Sequence, residues 1–151
     1  MRLLMVWIAL VIALPAHADD VTLKNRWDLR GFYHSVGATM TDSVPGNSVA
    51  LNLLSENSVT LDLSDIPSGA DLVAAYLYWS GAREVPDTSV KLRVPGSSDW
   101  LGITAQESDC YTDLDNRTNS LSKRFYACRA DVTTQVEKAP NWGQGDYFVQ
   151  G

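Results

Sequence analysis

"NSVTLDLSDI", residues 57–66, alternates Val59, Leu61 and Leu63 with Thr60, Asp62 and Ser64. Successive side chains of an extended chain point to opposite faces, so this spacing gathers the apolar groups on one side and the polar groups on the other. A half-buried strand is therefore predicted. "SVKLRV" (89–94) repeats the pattern, with Val90, Leu92 and Val94 set against Lys91 and Arg93, and "SVALNLL" (48–54), "RFYAC" (124–128) and "DYFVQ" (146–150) are shorter versions. Turn-forming clusters separate these runs: Pro45-Gly46-Asn47, Pro67-Ser68-Gly69, Pro86-Asp87, Pro95-Gly96-Ser97-Ser98 and Asn141-Trp142-Gly143-Gln144-Gly145. Short strands at this spacing, with no long amphipathic stretch, predict an all-β chain folded as a β-sandwich of jelly-roll or immunoglobulin-like type. The exception is "ADVTTQVEKA" (130–139), where Asp131 is placed to cap one short helical turn by accepting a bond from a first-turn amide.

"DLVAAYLYWSGA" (71–82) breaks the alternation. Leu72, Ala74, Tyr76 and Tyr78 fall on one face of a strand, and Val73, Ala75, Leu77 and Trp79 on the other. With both faces apolar, the stretch predicts a central strand covered on both sides. Exposed rings in the same run would instead line a sugar-binding groove, because aromatic faces stack on the apolar patches of a sugar.

The amino terminus sets the compartment. Met1 and Arg2 precede a twelve-residue apolar core, Leu3 to Leu14, and Pro15 breaks it ahead of Ala16-His17-Ala18. This arrangement reads as a secretory signal peptide over 1–18, with the mature domain over 19–151. Twelve apolar residues fall short of the roughly 20 that cross a bilayer, so no membrane insertion is expected after cleavage. Secretion, the periplasm or the cell surface is the expected destination.

The whole chain of 151 residues holds 12 Lys+Arg against 18 Asp+Glu, a net charge of −6. Loss of Arg2 with the leader makes it −7. Such a surface repels phosphate backbones and anionic lipid headgroups, so no nucleic-acid partner is expected. Cys110 and Cys128 are the only cysteines. An even pair in an oxidising compartment predicts a structural disulfide, worth about 3 kcal/mol for a loop of this length. The separation of eighteen residues, with no histidine nearby, fits neither a Cys-x-x-Cys redox pair nor a zinc site.

Three ordered blocks carry a resemblance. "LDLSDIPSGADLVAAYLYWSGA" (61–82), "VKLRVPGSSDWLGITA" (90–105) and "YACRADVTTQVEKAPNWGQGDYFVQG" (126–151) look like an uncharacterised β-sandwich module of bacterial and archaeal secreted and surface proteins. That family shows an LP-x-GA turn leading to an A-x-LYWGG-like strand, then a strand ending in a proline-glycine turn, then an ADVT-x-x-V…G-x-G-x-Y-x-V segment. Ser80 stands here where the family usually has glycine, and the cysteine pair is not a family feature. The resemblance implies a sandwich whose motifs are architectural and bring no catalytic residue. It also implies a further strand beyond Gly151, so that the domain over 19–151 is expected to lack its C-terminal strand or strands and to leave an open edge at its last one.

No enzyme is expected. His34 is the single histidine after the leader, no serine lies in a Gly-x-Ser-x-Gly elbow, and no catalytic residue is assigned. "DCYTDLDNRTN" (109–119) offers Asp109, Asp113 and Asp115 as hard oxygen donors of the kind calcium takes. Arg117 at the next alternate position and the missing glycine and closing glutamate favour a solvated acidic loop instead, so no cofactor is expected and calcium is the alternative. The function expected is an exported, non-catalytic structural or adhesive module, adhesin-like, meeting protein or glycan partners at a bacterial surface. The alternative is a soluble extracytoplasmic carbohydrate-binding protein, with Trp100, Tyr111 and Trp142 as its contacts because each sits in or beside a turn-rich loop.

Overall fold

The computed structural model describes residues 24–26, 28, 30–43, 51–83, 85–113 and 125–151. The leader, the Pro45-Gly46-Asn47 turn and Asp115 therefore lie outside the described residues, as do the side chains of Asp113 and Trp142. The chain divides into two units, 1–30 and 31–151. In the first, Arg26 and Asp28 form an exposed ion pair at 3.2 Å.

Among its described residues the second unit carries nine strands: β1 (Thr41–Ser43), β2 (Leu51–Leu53), β3 (Asn57–Leu61), β4 (Tyr76–Ala82), β5 (Ser89–Arg93), β6 (Leu101–Thr104), β7 (Cys110–Asp113), β8 (Phe125–Asp131) and β9 (Gly145–Gln150). A single-turn helix, α1 (Thr133–Glu137), and two 3-10 turns are the other elements among those residues. Every pairing is antiparallel, in sheets ordered β1-β2, β3-β9-β5-β6 and β4-β8-β7. The fold is all-β, a sandwich of the four-stranded and three-stranded sheets.

Alternation explains how the sheets meet. Val90 and Leu92 of β5, Ile103 of β6 and Tyr147 of β9 point inward from one sheet, and Ala130 of β8 from the other. Leu77, Trp79, Val59 and Leu61 pack against them. A second cluster of Ala105, Tyr126 and Cys128 also touches Trp79, so this one ring joins the two halves of the core.

A proline-glycine turn sets the end of β5. Ser97 donates its N–H to the Val94 carbonyl at 3.2 Å across Pro95-Gly96, and Gly96 has φ +75°. Proline at the second and glycine at the third position is the type II signature, because only glycine takes positive φ there without strain. A side chain at Gly96 would also strike Pro140 at 2.5 Å, so close packing and conformation demand the same residue.

Two expectations are corrected. The stretch from Asp71 to Ala82 is not a central strand: β4 begins at Tyr76, pairs only with β8 among the described residues, and is covered on one face. Tyr78 is 66% exposed, while Leu77 and Trp79 on the other face reach the core. The three-stranded sheet has no layer of described residues over its outer side, so an apolar residue there stays in water. Likewise β9 is not open-edged, since β3 and β5 flank it on either side.

Past β8 the chain turns back through α1. Thr133 donates both its N–H (2.9 Å) and its hydroxyl (2.6 Å) to Asp131, and the hydroxyl in turn accepts the N–H of Ala75. These bonds, the hydroxyl's first and then the amide's, hold the Asp131 carboxyl below its ordinary value of 3.8. A depressed carboxyl stabilises the fold above its unfolded pKa and ceases to do so as pH falls through the folded one. Asp131→Ala is expected to cost about 1 kcal/mol at neutral pH. The variant should also lose less stability than the parent between pH 5 and pH 2, which urea midpoints across that range would measure. Asp62, bonded to Ser64, shifts in the same direction.

The Tyr147 hydroxyl is buried against Gly143 and Val136 without a hydrogen-bond partner among the described residues. Burial pushes its pKa up to about 12. An orphaned buried hydroxyl costs about 1–3 kcal/mol. Tyr147→Phe is therefore expected to be neutral or stabilising by about 1 kcal/mol. It should also reduce the stability lost between pH 10 and 12, where the unfolded phenol ionises and the folded one does not.

Candidate functional site: the outer face of the three-stranded sheet

The site is built by register. Tyr78 lies opposite Arg129, Ser80 opposite Ala127, and Ala82 opposite Phe125, while Ala127 also faces Tyr111 of β7. All of these residues share the face directed away from the core, because Cys128 and Tyr126, the intervening residues of β8, are buried. The result is a floor of small residues, Ser80, Ala82 and Ala127, ringed by Tyr78, Tyr111 and Phe125. The three rings are 66%, 54% and 64% exposed. Tyr111 and Phe125 are diagonal neighbours, about 7–8 Å apart at the backbone.

Arg129 organises one end of this face. Its guanidinium lies 4.7 Å from the ring centroid of Tyr76 and binds Asp109 at 3.3 Å. Burial tends to lower its pKa, but the hydrogen bond with Tyr78 and the charge of Asp109 outweigh that and raise it. Arg129 thus stays charged, and its planar group holds two tyrosines whose rings meet edge to face at 6.5 Å. The arrangement presents flat apolar rings with hydroxyls at their rims, suited to stacking on another planar or ring-shaped surface.

Beneath the floor, Cys110 and Cys128 are directly opposed and bonded as a disulfide. Cys128 is 1% exposed. The bridge ties β7, which carries Tyr111, to β8, which carries Phe125 and Arg129. The expected disulfide is thus present and supports the candidate face from below.

The residues singled out from the sequence separate. Tyr111 belongs to this face. Trp100 lies before β6 on the four-stranded sheet, half-buried, with the Arg93 guanidinium 4.9 Å from its ring and 4.0 Å from that of Phe148. Trp142 lies in the 3-10 turn Pro140–Gly143. Beside that turn is an open depression of about 470 Å³ whose lining includes Val94, Leu101, Gln135 and Pro140, with Lys138 its single charged group. Asp109 is paired with Arg129, and no group of three or more potential metal ligands occurs among the described residues. His34 reaches Asp65 at 3.3 Å.

Phe125 and Arg129 were missed, and Tyr78 entered only through the alternative of exposed rings in its run. Their signal was present as alternation, Tyr76-x-Tyr78 in one strand and Phe125-x-Ala127-x-Arg129 in another, but nothing local says which face of a sheet is covered.

No helix among the described residues is long and apolar enough to cross a membrane. Set against protein-family models, curated proteins and solved structures, the chain finds no match in any of the three.

Proposed function

We propose that the chain is an exported, non-catalytic structural or adhesive β-sandwich module of a bacterial surface or secreted protein, acting through the outer face of its three-stranded sheet. The carrying observation is the exposure of Tyr78, Tyr111 and Phe125 together on one rigid, disulfide-tied face. Exposed aromatic groups clustered on a soluble domain mark an interaction surface more often than scattered ones do. The leader-like amino terminus and the buried disulfide support export to an oxidising compartment.

A second reading is favoured by the shape of the same face. Small floor residues between exposed rings resemble a platform for a sugar ring, which makes the protein a soluble extracytoplasmic carbohydrate-binding protein. One experiment separates the two readings: retention of the whole chain on polystyrene beads, as an apolar surface, and on a glycan array. Tyr78→Ala and Phe125→Ala are each expected to weaken retention about tenfold, the worth of one stacked ring. Both should leave the thermal midpoint nearly unchanged, because exposed substitutions stay within about 0.5 kcal/mol. Loss on the beads alone supports the adhesive reading, and loss on particular glycans supports the carbohydrate one. Undiminished retention of both variants on both surfaces would remove the face from the function. Turnover of an offered glycan or peptide would overturn the non-catalytic reading.

A further inference from the structure

The outer face of the four-stranded sheet carries a row built around one arginine. Phe148 of β9 pairs with Arg93 of β5, and Trp100, the residue before β6, continues the row on the other side. The Arg93 guanidinium lies 4.0 Å from the Phe148 ring centroid and 4.9 Å from that of Trp100. Alternation explains the row: Leu92 and Val94 enter the core, so Arg93 between them and Lys91 before them point outward. In the next row Lys91 stands between Gln150 and Gly102. A side chain at Gly102 would meet nothing within 4 Å, so the sheet beside Lys91 and Trp100 is an open floor.

Arg93 is held differently from its counterparts. Arg26, Arg83 and Arg129 each meet an aspartate, at 3.2, 3.6 and 3.3 Å. No carboxylate among the described residues pairs with Arg93 or Lys91, although the chain holds 18 Asp+Glu against 12 Lys+Arg. Among the described residues of these four strands, Asp146 is the one acid, and it accepts a hydrogen bond from Thr60 on the β3 side. Stacking covers the flat faces of a guanidinium. Its N–H donors lie in its plane, in a fork that fits a carboxylate with two parallel bonds. The two rings thus orient the group and leave those donors with no acceptor among the described residues.

We propose that this face binds an acidic sugar, with the sugar's carboxylate received by the Arg93 fork and its hydroxyls by the polar groups around Lys91. Charge complementarity selects the anion. Lys91, two residues along β5 and about 7 Å away, places a second positive charge beside the first. The neighbouring groups select the sugar. Gln150 stands next to Lys91, and the hydroxyls of Ser89 and Thr104, one row further, lie 3.2 Å apart. These neutral donors and acceptors on an open floor match a ring of hydroxyls, whereas the side chain of an acidic peptide brings a carboxylate and nothing for them to bind. The site lies on the other outer face of the sandwich from Tyr78 and Phe125, and it stands whether or not those rings bind anything.

Calorimetric titration of the whole chain with trigalacturonate, with the methyl ester of the same trisaccharide and with triglutamate tests it. The parent is expected to bind the acidic trisaccharide with a Kd on the order of 100 μM, as suits a small exposed site. The neutral ester should bind about tenfold more weakly or less, because the charge-assisted pair is gone. Arg93→Lys keeps the charge and loses the fork, and should raise Kd about tenfold. Lys91→Ala, at an exposed position, should raise it about threefold and does not depend on the arginine variant folding. Thermal midpoints of both variants, read in parallel, separate binding from packing. An Arg93→Lys protein with a lowered midpoint and an unchanged Kd would show that the arginine only holds the two rings, and would overturn the proposal. So would a parent that leaves trigalacturonate unbound at about 5 mM, far above such a Kd, equal affinity for acid and ester, or tighter binding of triglutamate.

Discussion

Replacing Trp79 by alanine is expected to destabilise the protein by about 3–5 kcal/mol, the range for deleting a large core aromatic. The ring touches both core clusters, and its indole N–H donates to the Asp87 carbonyl at 2.8 Å. Truncation therefore opens a cavity between the sheets and leaves that carbonyl without its donor. Because whole domains are stable by only about 5–15 kcal/mol, the variant sits near the edge of folding at physiological temperature. Trp79→Phe keeps much of the packing and should cost less, about 1–3 kcal/mol. The sharper comparison is with the next residue along the chain. Tyr78→Ala, on the opposite face of β4, should change stability by less than about 0.5 kcal/mol. Urea unfolding of the three variants would decide it. Equal losses at 78 and 79 would mean that β4 is covered on both sides after all, and the candidate face would disappear with that result.

The second large effect concerns the disulfide. Cys110→Ala with Cys128→Ala is expected to cost about 3 kcal/mol, because the bridge closes a loop of roughly eighteen residues in the unfolded chain. For a domain of this size the thermal midpoint should fall by about 10–15 °C. Alanine is the right replacement: Cys128 is 1% exposed, and serine would add a buried hydroxyl in need of a partner. The bridge also fixes the lateral placement of Tyr111 relative to Phe125, since it joins their strands one residue from Tyr111 and three from Phe125. Loss of binding in the double variant at temperatures where it remains folded would show that the bridge positions the face as well as stabilising the domain. An unchanged midpoint would mean that the loop is already ordered without it.

Much of this molecule was legible because strands advertise themselves by period two. Val90-x-Leu92-x-Val94 and Val59-x-Leu61 became inward rows of one sheet, and Cys110 and Cys128 are bonded as the even pair predicted. The Asp131 carboxylate accepts the first-turn amide of α1, a local interaction that needs no knowledge of the rest of the fold. The strands that escaped notice, β1, β6 and β7, are only three or four residues long. At that length alternation has too few repeats to stand out, and pairing with a longer neighbour supplies the order.

What the sequence determined alone is the local chemistry: which stretches extend, where proline and glycine turn them, which residues alternate, and that a cysteine pair is available to bridge. Tertiary structure decided which of two equally apolar faces of Tyr76–Ala82 enters the core, because that depends on whether a second layer lies over the sheet. It decided that β4 has β8 as its strand partner among the described residues and that β9 is an interior strand, because strand order is set by partners distant in the chain. The candidate site follows from those two decisions. Tyr78, Tyr111, Phe125 and Arg129 come from three strands, and only the antiparallel register of β4, β8 and β7 places them on one surface.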